Sequence, residues 1–251
     1  MKAMRITTLG TSHGDHTYCR FNSSTLYEIG DQSYLVDCGE PVNGLMIRAN
    51  KPFGQLQAVF VTHMHEDHVG GLPDLIKALV KRPRTEGGTT VFLPEVEAQA
   101  GLDGWLRAMH VAWPSPVVTF GVTTEGPVYD DSLLSVAAVP TEHMAPLGAP
   151  SFAYVLEAEG KRIVTTGDLR GDFADFPEVI RQERCDLCIC EITHYKPEVA
   201  LPLLMACPID RLILNHVHDP WHGEGEARLR AIMADLPYPV EIAHDGDEFT
   251  L

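Results

Sequence analysis

The chain has 251 residues, 45% of them hydrophobic, and a formal net charge of −16 from 19 Lys+Arg and 35 Asp+Glu. This length supports one substantial core, or two fused halves around a single site. The acidic charge disfavours long-range attraction of nucleic acid or of an anionic membrane, and no apolar run is long enough to predict a membrane span.

Short apolar runs alternate with amphipathic segments along the chain. The predicted strands are 4–9, 24–29, 33–37, 56–62, 90–93, 133–139, 151–157, 161–166, 186–191, 211–215 and 239–243. The predicted helices are 72–81, 95–109, 174–184, 197–206 and 224–235. Early hairpins followed by strand–helix alternation indicate stacked sheets with helices outside, in one domain spanning residues 1–251.

Turn residues mark the connections between several of these elements. Gly30-Asp31 and Glu159-Gly160 each lie between two predicted strands and are typical of hairpin turns. Pro73 and Pro197 lie at predicted helix starts, where proline is favoured. Residues 81–89 are expected to form an exposed loop.

The cysteines indicate a reducing compartment. The six cysteines are too few and too unevenly spaced for a disulfide framework. Residues 187–190, Leu-Cys-Ile-Cys, predict a buried strand in which cysteine acts as a small apolar residue. The N-terminus lacks the apolar stretch of a signal peptide, so a cytoplasmic protein is expected.

A cluster of metal-binding side chains follows the predicted strand at 56–62. It has the pattern His63-x-His65-x-Asp67-His68. These side chains would repel one another or stay unpaired if they were buried without a cation, so a bound metal is the simplest explanation. A strand that ends in such a cluster delivers it to the carboxyl edge of a sheet, where open α/β sheets place their sites.

Three further candidate ligands, His143, Asp168 and His216, each follow a predicted strand. Strands of one core can end at a common edge, so these residues form a series with the first cluster. The combined set is five His and two Asp. Two metal ions that share a carboxylate need about this many ligands when each ion keeps a position for water.

These residues match, in order, the ligand motifs of the metallo-β-lactamase superfamily of metallohydrolases, which the chain resembles over nearly its whole length. The resemblance implies an α/β fold, a four-layer αββα sandwich with a dinuclear metal site between its two halves. Zinc is favoured by the imidazole-rich set, with manganese or iron as alternatives. By this resemblance one ion would be held by His63, His65 and His143, the other by Asp67, His68 and His216, and Asp168 would bridge them.

Within the superfamily the chain is similar to the ribonuclease Z and phosphodiesterase branch. The turn at 140–144 lacks the Thr-Pro-Gly-His-Thr-like form of the lactamase, glyoxalase and lactonase branches. The opening loop at 10–24 and the strand at 211–216 resemble those of ribonuclease Z. A homodimer is a further expectation, since many relatives are dimers, although no sequence feature marks an interface.

Two departures from ribonuclease Z change the expected substrate. The long arm that grips tRNA is absent, because only 25 positions separate His143 from Asp168 and a hairpin uses most of them. The His-Glu-Ala-Thr motif appears as Cys190-Glu191-Ile192-Thr193, with His194 following. Together with the acidic charge, these departures disfavour nucleic acid and favour a small anionic phosphodiester, such as a cyclic nucleotide or a phosphorylated metabolite.

The expected reaction is hydrolysis by a hydroxide that bridges the two metal ions. Asp67 is placed to orient that hydroxide or to accept its proton. The leaving oxygen needs a proton donor, for which His194 and His222 are the candidates, with Glu191 holding one of them.

The opening loop supplies the candidate substrate contacts. The resemblance places His13 and His16 at the rim of the site, where they could touch substrate. Arg20 could bind an anionic group, although an arginine paired with a surface carboxylate is as common.

Other functions are compatible with the same ligands. A lactonase, an esterase or a sulfatase-type hydrolase would use the same metal-bridging hydroxide, and a ribonuclease Z-like nuclease is a further alternative. A non-catalytic metal-binding sensor is disfavoured, because a purely structural site rarely keeps two open ions.

Overall fold

The computed structural model describes residues 3–82 and 87–251. The contacts between Cα atoms divide the chain into two compact units. The N-terminal unit comprises residues 1–123 and 244–251, and the C-terminal unit comprises residues 124–243. The expectation of a single domain stays a prediction.

Each unit is built on one seven-stranded mixed sheet. The strands, in chain order, are β1 (Arg5–Gly10), β2 (Ser24–Ile29), β3 (Gln32–Val36), β4 (Leu56–Phe60), β5 (Thr89–Leu93), β6 (Val118–Val122), β7 (Gly126–Asp130), β8 (Ser135–Thr141), β9 (Ser151–Ala158), β10 (Lys161–Thr165), β11 (Leu187–Ile192), β12 (Leu212–Val217), β13 (Val240–Ile242) and β14 (Asp247–Thr250). The α-helices are α1 (Val42–Arg48), α2 (Glu66–Val69), α3 (Leu72–Lys81), α4 (Val96–Ala108), α5 (Glu178–Gln182), α6 (Pro197–Leu204) and α7 (Gly225–Met233).

The two sheets share one pairing pattern. The strand order is β14-β1-β2-β3-β4-β5-β6 in the N-terminal unit and β13-β12-β11-β10-β9-β8-β7 in the C-terminal unit. In the first sheet β14 to β3 pair antiparallel and β3 to β6 pair parallel. In the second, β7 to β10 pair antiparallel and β10 to β13 pair parallel. Each sheet therefore has a parallel half whose strands end at a common edge.

Helix α3 shows how the sequence pattern produces packing in the N-terminal unit. It begins after Gly71, with a proline in its first turn. Its buried residues Leu72, Leu75, Ile76 and Leu79 have the spacing of one helix face. They join the core that also contains the parallel strands β4 and β5. Burial of one such side chain stabilises the fold by roughly 1.5–3 kcal/mol.

The predicted hairpin turns are present. Gly30 lies between β2 and β3 with φ +61°, and Glu159 and Gly160 lie between β9 and β10 with φ +54° and +74°. In the β9–β10 turn, positive φ at both central residues suits the twist of a two-residue hairpin, and glycine adopts a positive φ without a steric cost. The predicted loop at 81–89 is described only in part, because residues 83–86 lie outside the described residues.

The predicted buried strand around the cysteines is confirmed. All residues of β11 are buried, and Cys188 and Cys190 belong to the apolar core of the C-terminal unit. Burial raises the pKa of the Cys185 thiol to about 12, which keeps it protonated. The six cysteines of the chain are free thiols.

A buried lysine, Lys51, forms ion pairs with carboxylates on β2 and β14 of the first sheet. Lys51, which is 5% exposed, contacts Glu28 at 2.8 Å and Glu248 at 2.6 Å. Burial raises the pKa of Glu28, but hydrogen bonds from Arg5 and Lys51 outweigh this effect and hold it below the ordinary value of 4.5.

Candidate metal centre

In the N-terminal unit the candidate ligands follow β4 directly. His63, His65, Asp67 and His68 lie on the loop after β4 and on the short helix α2, and all except His65 are buried. The ring nitrogens His63 Nε2 and His65 Nδ1 are 3.0 Å apart. His68 Nε2 lies 3.3 Å from Asp67 Oδ2. The donor atoms therefore converge in two pairs.

A buried carboxylate that the sequence analysis did not select orients one of these ligands. Asp37 Oδ2 lies 2.7 Å from His68 Nδ1, and its two oxygens accept hydrogen bonds from the backbone N–H and the hydroxyl of Thr62 at 2.8 and 3.0 Å. With Nδ1 donating to Asp37, Nε2 of His68 keeps its lone pair for a metal ion. The signal that could have revealed Asp37 is its place directly after the apolar strand β3.

The donor set fits a divalent metal ion. In a tetrahedral zinc site with Zn–N distances of about 2.0–2.1 Å, neighbouring ligand nitrogens lie about 3.3–3.4 Å apart. The separation of 3.0 Å between His63 Nε2 and His65 Nδ1 is a few tenths of an ångström shorter than that value. Imidazole and carboxylate donors are the usual protein ligands of zinc, and burying them together is costly unless a cation compensates.

In the C-terminal unit the candidate ligands gather around Asp168. Asp168, which is 3% exposed, follows β10, His143 follows β8, and His216 lies within β12. Asp168 oxygens lie 3.7 Å from His143 Nε2 and 3.6 Å from His216 Nδ1. These separations exceed an ordinary hydrogen bond of about 3.2 Å and suit atoms that share an ion. His216 has φ +49°, a left-handed conformation that is uncommon for a histidine and often marks a functional site.

Glu191 and His194 form a second feature beside Asp168. His194 Nδ1 lies 3.0 Å from both oxygens of Glu191, and its Nε2 lies 3.8 Å from Asp168. The buried Glu191 carboxylate also accepts backbone N–H bonds from Leu169 and Thr193 at 2.6 and 2.9 Å. It therefore fixes the segment after Asp168 and the orientation of the His194 ring.

The second predicted proton donor has different neighbours. His222 Nε2 lies 2.8 Å from the carbonyl oxygen of Val217, and its Nδ1 lies 3.5 Å from Asp219. His194, Glu191 and His216, by contrast, offer ligand atoms within 4.8 Å of one another. The structure thus brings His194 to the cluster around Asp168, while His222 contacts the main chain of β12.

The predicted substrate contacts lie in the loop between β1 and β2. His13 is buried, whereas His16 is exposed and its Nε2 lies 3.0 Å from the carbonyl oxygen of Glu40. Arg20 is 2% exposed and donates to Thr11 Oγ1 at 2.7 Å. Of the three residues, His16 is therefore the one whose side chain lies at the surface.

The family comparison decides the classification of the chain. The family described as anti-Pycsar protein Apyc1 matches residues 4–200. The chain belongs to this family. The match includes six of the seven candidate ligands together with the Glu191–His194 pair, whereas His216 lies beyond it.

Curated relatives of this Apyc1-family chain confirm the predicted branch. The ribonuclease Z of Synechococcus sp. (strain CC9311) is 35% identical over 164 residues, which cover 63% of this chain and 50% of that protein. The ribonuclease Z of Mycobacterium sp. (strain KMS) is 28% identical over 272 aligned positions, which cover 96% of this chain and 94% of that protein. The chain spans about half the length of the first curated relatives that it matches.

Solved structures confirm the predicted metallo-β-lactamase fold. The metallo-β-lactamase fold protein YhfI from Bacillus subtilis has a TM-score of 0.77 at 18% identity, covering 98% of this chain and 99% of that one. The short form of human tRNase Z has a TM-score of 0.75 at 21% identity, covering 98% of both chains. At these identities the likeness concerns the fold alone.

Proposed function

We propose that this chain is a metal-dependent hydrolase that cleaves small phosphodiesters at a dinuclear metal centre. The observation that carries the proposal is the gathering of His and Asp donors at strand ends, with the Glu191–His194 pair beside Asp168. The relatives supply the bond type, since the name ribonuclease Z describes cleavage of RNA, whose backbone is a phosphodiester.

We propose that the seven predicted ligands hold two divalent ions, with zinc favoured and manganese or iron as alternatives. The proposal rests on the donor chemistry within each unit and on the order of the ligand motifs in the chain. When bound, such ions neutralise charge on a phosphate and lower the pKa of water. The proposed ligands are His63, His65, Asp67, His68, His143, Asp168 and His216.

The chain's own residues then orient the reactants and move protons. Asp67 is buried against His68 and can orient the attacking water or accept its proton. The leaving oxygen needs a proton, which we assign to Nε2 of His194. This ring has 30% of its side-chain surface exposed, enough to meet a substrate, and Glu191 holds its other nitrogen.

A cavity in the C-terminal unit favours a small substrate. It has a volume of about 550 Å³ and is lined in part by His143, His194 and Arg170. Protein sites for small molecules commonly have about 300–1,000 Å³. In addition, the turn at Ala145–Leu147 and the β9–β10 hairpin occupy most of the interval between His143 and Asp168, where an arm for tRNA would lie.

The remaining proposals concern the setting of the protein. We propose an anionic small molecule as the substrate, a cytoplasmic location that suits the six free thiols, and a homodimer. Among the residues that the structure describes, no helix combines the length and the apolar character that crossing a bilayer requires.

Hydrolysis of bis(p-nitrophenyl) phosphate by zinc- and manganese-loaded protein tests the proposed function. The comparison substrates are p-nitrophenyl monophosphate, acetate and sulfate, and a tRNA precursor. His65→Ala should remove diester hydrolysis and lower bound metal, because His65 is a proposed ligand. His244→Ala is the matched control, since this histidine lies in a turn beside Asp247. Activity on the acetate, the sulfate or the tRNA precursor with a silent diester would contradict the small-phosphodiester proposal.

The two proton-donor candidates can be separated by the leaving group. We expect His194→Ala to lower turnover by about 10²–10⁴-fold for a diester with a poor leaving group, and by much less for p-nitrophenolate, which needs no proton. His222→Ala should have the smaller effect, because its Nε2 is already held by a backbone carbonyl. Metal content measured on both variants distinguishes loss of a proton donor from loss of the centre. The opposite order of effects would assign the role to His222.

A further inference from the structure

One side chain joins the two turns from which the C-terminal unit presents candidate ligands. Asp175 Oδ2 accepts a hydrogen bond from the backbone N–H of Glu142 at 2.8 Å, and its Oδ1 accepts one from the N–H of Arg170 at 2.9 Å. Glu142 directly precedes His143, and Arg170 lies two residues after Asp168. The carboxylate of Asp175 therefore spans the His143 turn and the Asp168 turn.

A side-chain ion pair crosses the same gap. The Arg170 guanidinium contacts the carboxylates of Glu142 and Asp172. The side chains of Arg170 and Glu142 are 43% and 58% exposed, and exposed ion pairs typically contribute about 0–1 kcal/mol. Asp175 instead binds two backbone N–H groups through a charged acceptor, which fixes the main chain itself.

Two buried polar residues, Ser151 and Glu191, hold the two turns separately. Ser151 Oγ accepts hydrogen bonds from the Thr141 hydroxyl at 2.8 Å and from the Met144 N–H at 3.4 Å, which anchors the His143 turn to β9. Glu191 accepts a bond from Leu169 N–H at 2.6 Å, which anchors the Asp168 turn to β11. These contacts anchor each turn to its own neighbouring strand, whereas Asp175 binds the main chain of both turns.

We propose that Asp175 is a positioning residue that sets the separation of His143 from Asp168 for metal binding. The inference rests on the proposed function, because it requires both residues to be metal ligands. Ligands must be held within about 0.5 Å of the productive geometry to bind a metal well. Residues outside the ligand set that orient ligands typically change metal affinity by about 10–100-fold when they are substituted.

The test compares Asp175→Asn with wild type by competition for zinc with a chelator. The amide has one acceptor oxygen where the carboxylate has two, so one of the two turns loses its bond. We expect zinc affinity to fall about tenfold. Glu178→Gln is the matched control, because it removes the same charge nearby on α5, where Glu178 pairs with Arg181. It should leave zinc affinity unchanged.

A second readout separates positioning from general stability. In cobalt(II)-loaded protein the visible absorption reports ligand geometry, so Asp175→Asn should alter that spectrum and Glu178→Gln should not. A role confined to stability would lower the urea midpoint while the spectrum and the zinc affinity stay at the wild-type values. Asp175→Glu keeps the charge and both acceptor oxygens but displaces them by one methylene group. Asp175→Glu should bind zinc more weakly than wild type and more tightly than Asp175→Asn. If Asp175→Asn does not fold, Asp175→Glu is compared with wild type instead.

The outcomes distinguish this inference from the proposed function. A wild-type chain that binds neither zinc nor cobalt overturns the proposed function and the inference with it. The inference alone is overturned if the wild-type chain binds metal and Asp175→Asn has the same zinc affinity and cobalt spectrum as Glu178→Gln. Asp175→Glu takes the place of Asp175→Asn in this comparison if Asp175→Asn does not fold. Metal binding that depends on Asp175 without hydrolysis of any ester leaves the positioning role in place and removes the proposed activity.

Discussion

Substitution of Asp37 by Asn should uncouple His68 from the metal while leaving the shape of the site intact. Asp37 accepts from the N–H of Thr62 at 2.8 Å and contacts His68 Nδ1 at 2.7 Å. In Asp37→Asn the oxygen must still serve the Thr62 N–H, so the amide NH₂ faces His68 Nδ1. His68 Nδ1 then accepts a hydrogen bond from this amide, and the ring proton moves to His68 Nε2, where it blocks metal coordination.

The magnitude follows from the contacts that are lost. A buried hydrogen bond to a charged group contributes about 1.5–3 kcal/mol, so the free energy of unfolding of the metal-free protein should fall by roughly this amount. Zinc affinity should fall by about 10–100-fold, since the residue that orients a ligand is lost. The affinity loss corresponds to ~1.4–2.8 kcal/mol at ~1.4 kcal/mol per tenfold.

Urea unfolding of the metal-free protein and chelator competition for zinc measure the two effects separately. Asp31→Asn is the charge-matched control, because Asp31 is exposed in the β2–β3 turn. The reasoning would be refuted by an Asp37→Asn protein that binds zinc within about twofold of wild type, because a tautomer switch at His68 must cost at least the lower bound of this range.

Two further predictions concern the N-terminal unit. Gly39→Ala places a Cβ 2.1 Å from the backbone oxygen of Asp67, so urea unfolding should show a loss of about 1–3 kcal/mol in stability, and zinc binding should weaken. The control Gly44→Ala, on an exposed face of α1, should be neutral or stabilising. Equal changes in stability for the two variants would contradict the close approach of Gly39 to Asp67. Because its two basic neighbours hold the pKa of Glu28 below 4.5, the stability that this carboxylate contributes should be complete above that pH and lost as pH falls through the lower folded-state pKa. The free energy of unfolding should therefore fall less steeply at acidic pH in Glu28→Gln than in wild type. A stability–pH curve that superimposes on that of wild type would argue against a contribution from the ion pairs of Glu28 with Arg5 and Lys51.

Elements with a strong local pattern could be predicted from the sequence. The continuous apolar run of β11 and the one-sided apolar face of α3 specify their structure within a few residues. The helix predicted at 174–184 is confined to Glu178–Gln182, since Pro177 precedes it and proline disfavours helical backbone in the residue before it. The strand predicted from 133 begins at Ser135, because Asp131 binds the N–H groups of Leu133 and Leu134 in a turn.

Short elements without such a pattern escaped prediction: α1, α2, β6, β7 and β14. β14 has four residues and one buried apolar side chain, Phe249, so alternation cannot be recognised in it. α1 contains Asn43 and Gly44, which have low helix propensity, and its buried residues Val42, Leu45 and Met46 become a helix face only through the core that they join.

The candidate ligands were readable from the sequence because metal chemistry restricts them to a few residue types at strand ends. The residues that orient them were not, because their partners are distant in the chain. Asp37 reaches His68 because β3 and β4 pair in parallel, and Asp175 reaches Glu142 across the turns that follow β8 and β10. The sequence by itself therefore determined the fold and the set of candidate metal ligands. Only the tertiary structure decided which carboxylates hold those side chains in place, because a hydrogen bond between distant residues depends on strand pairing and leaves no periodic trace in the sequence.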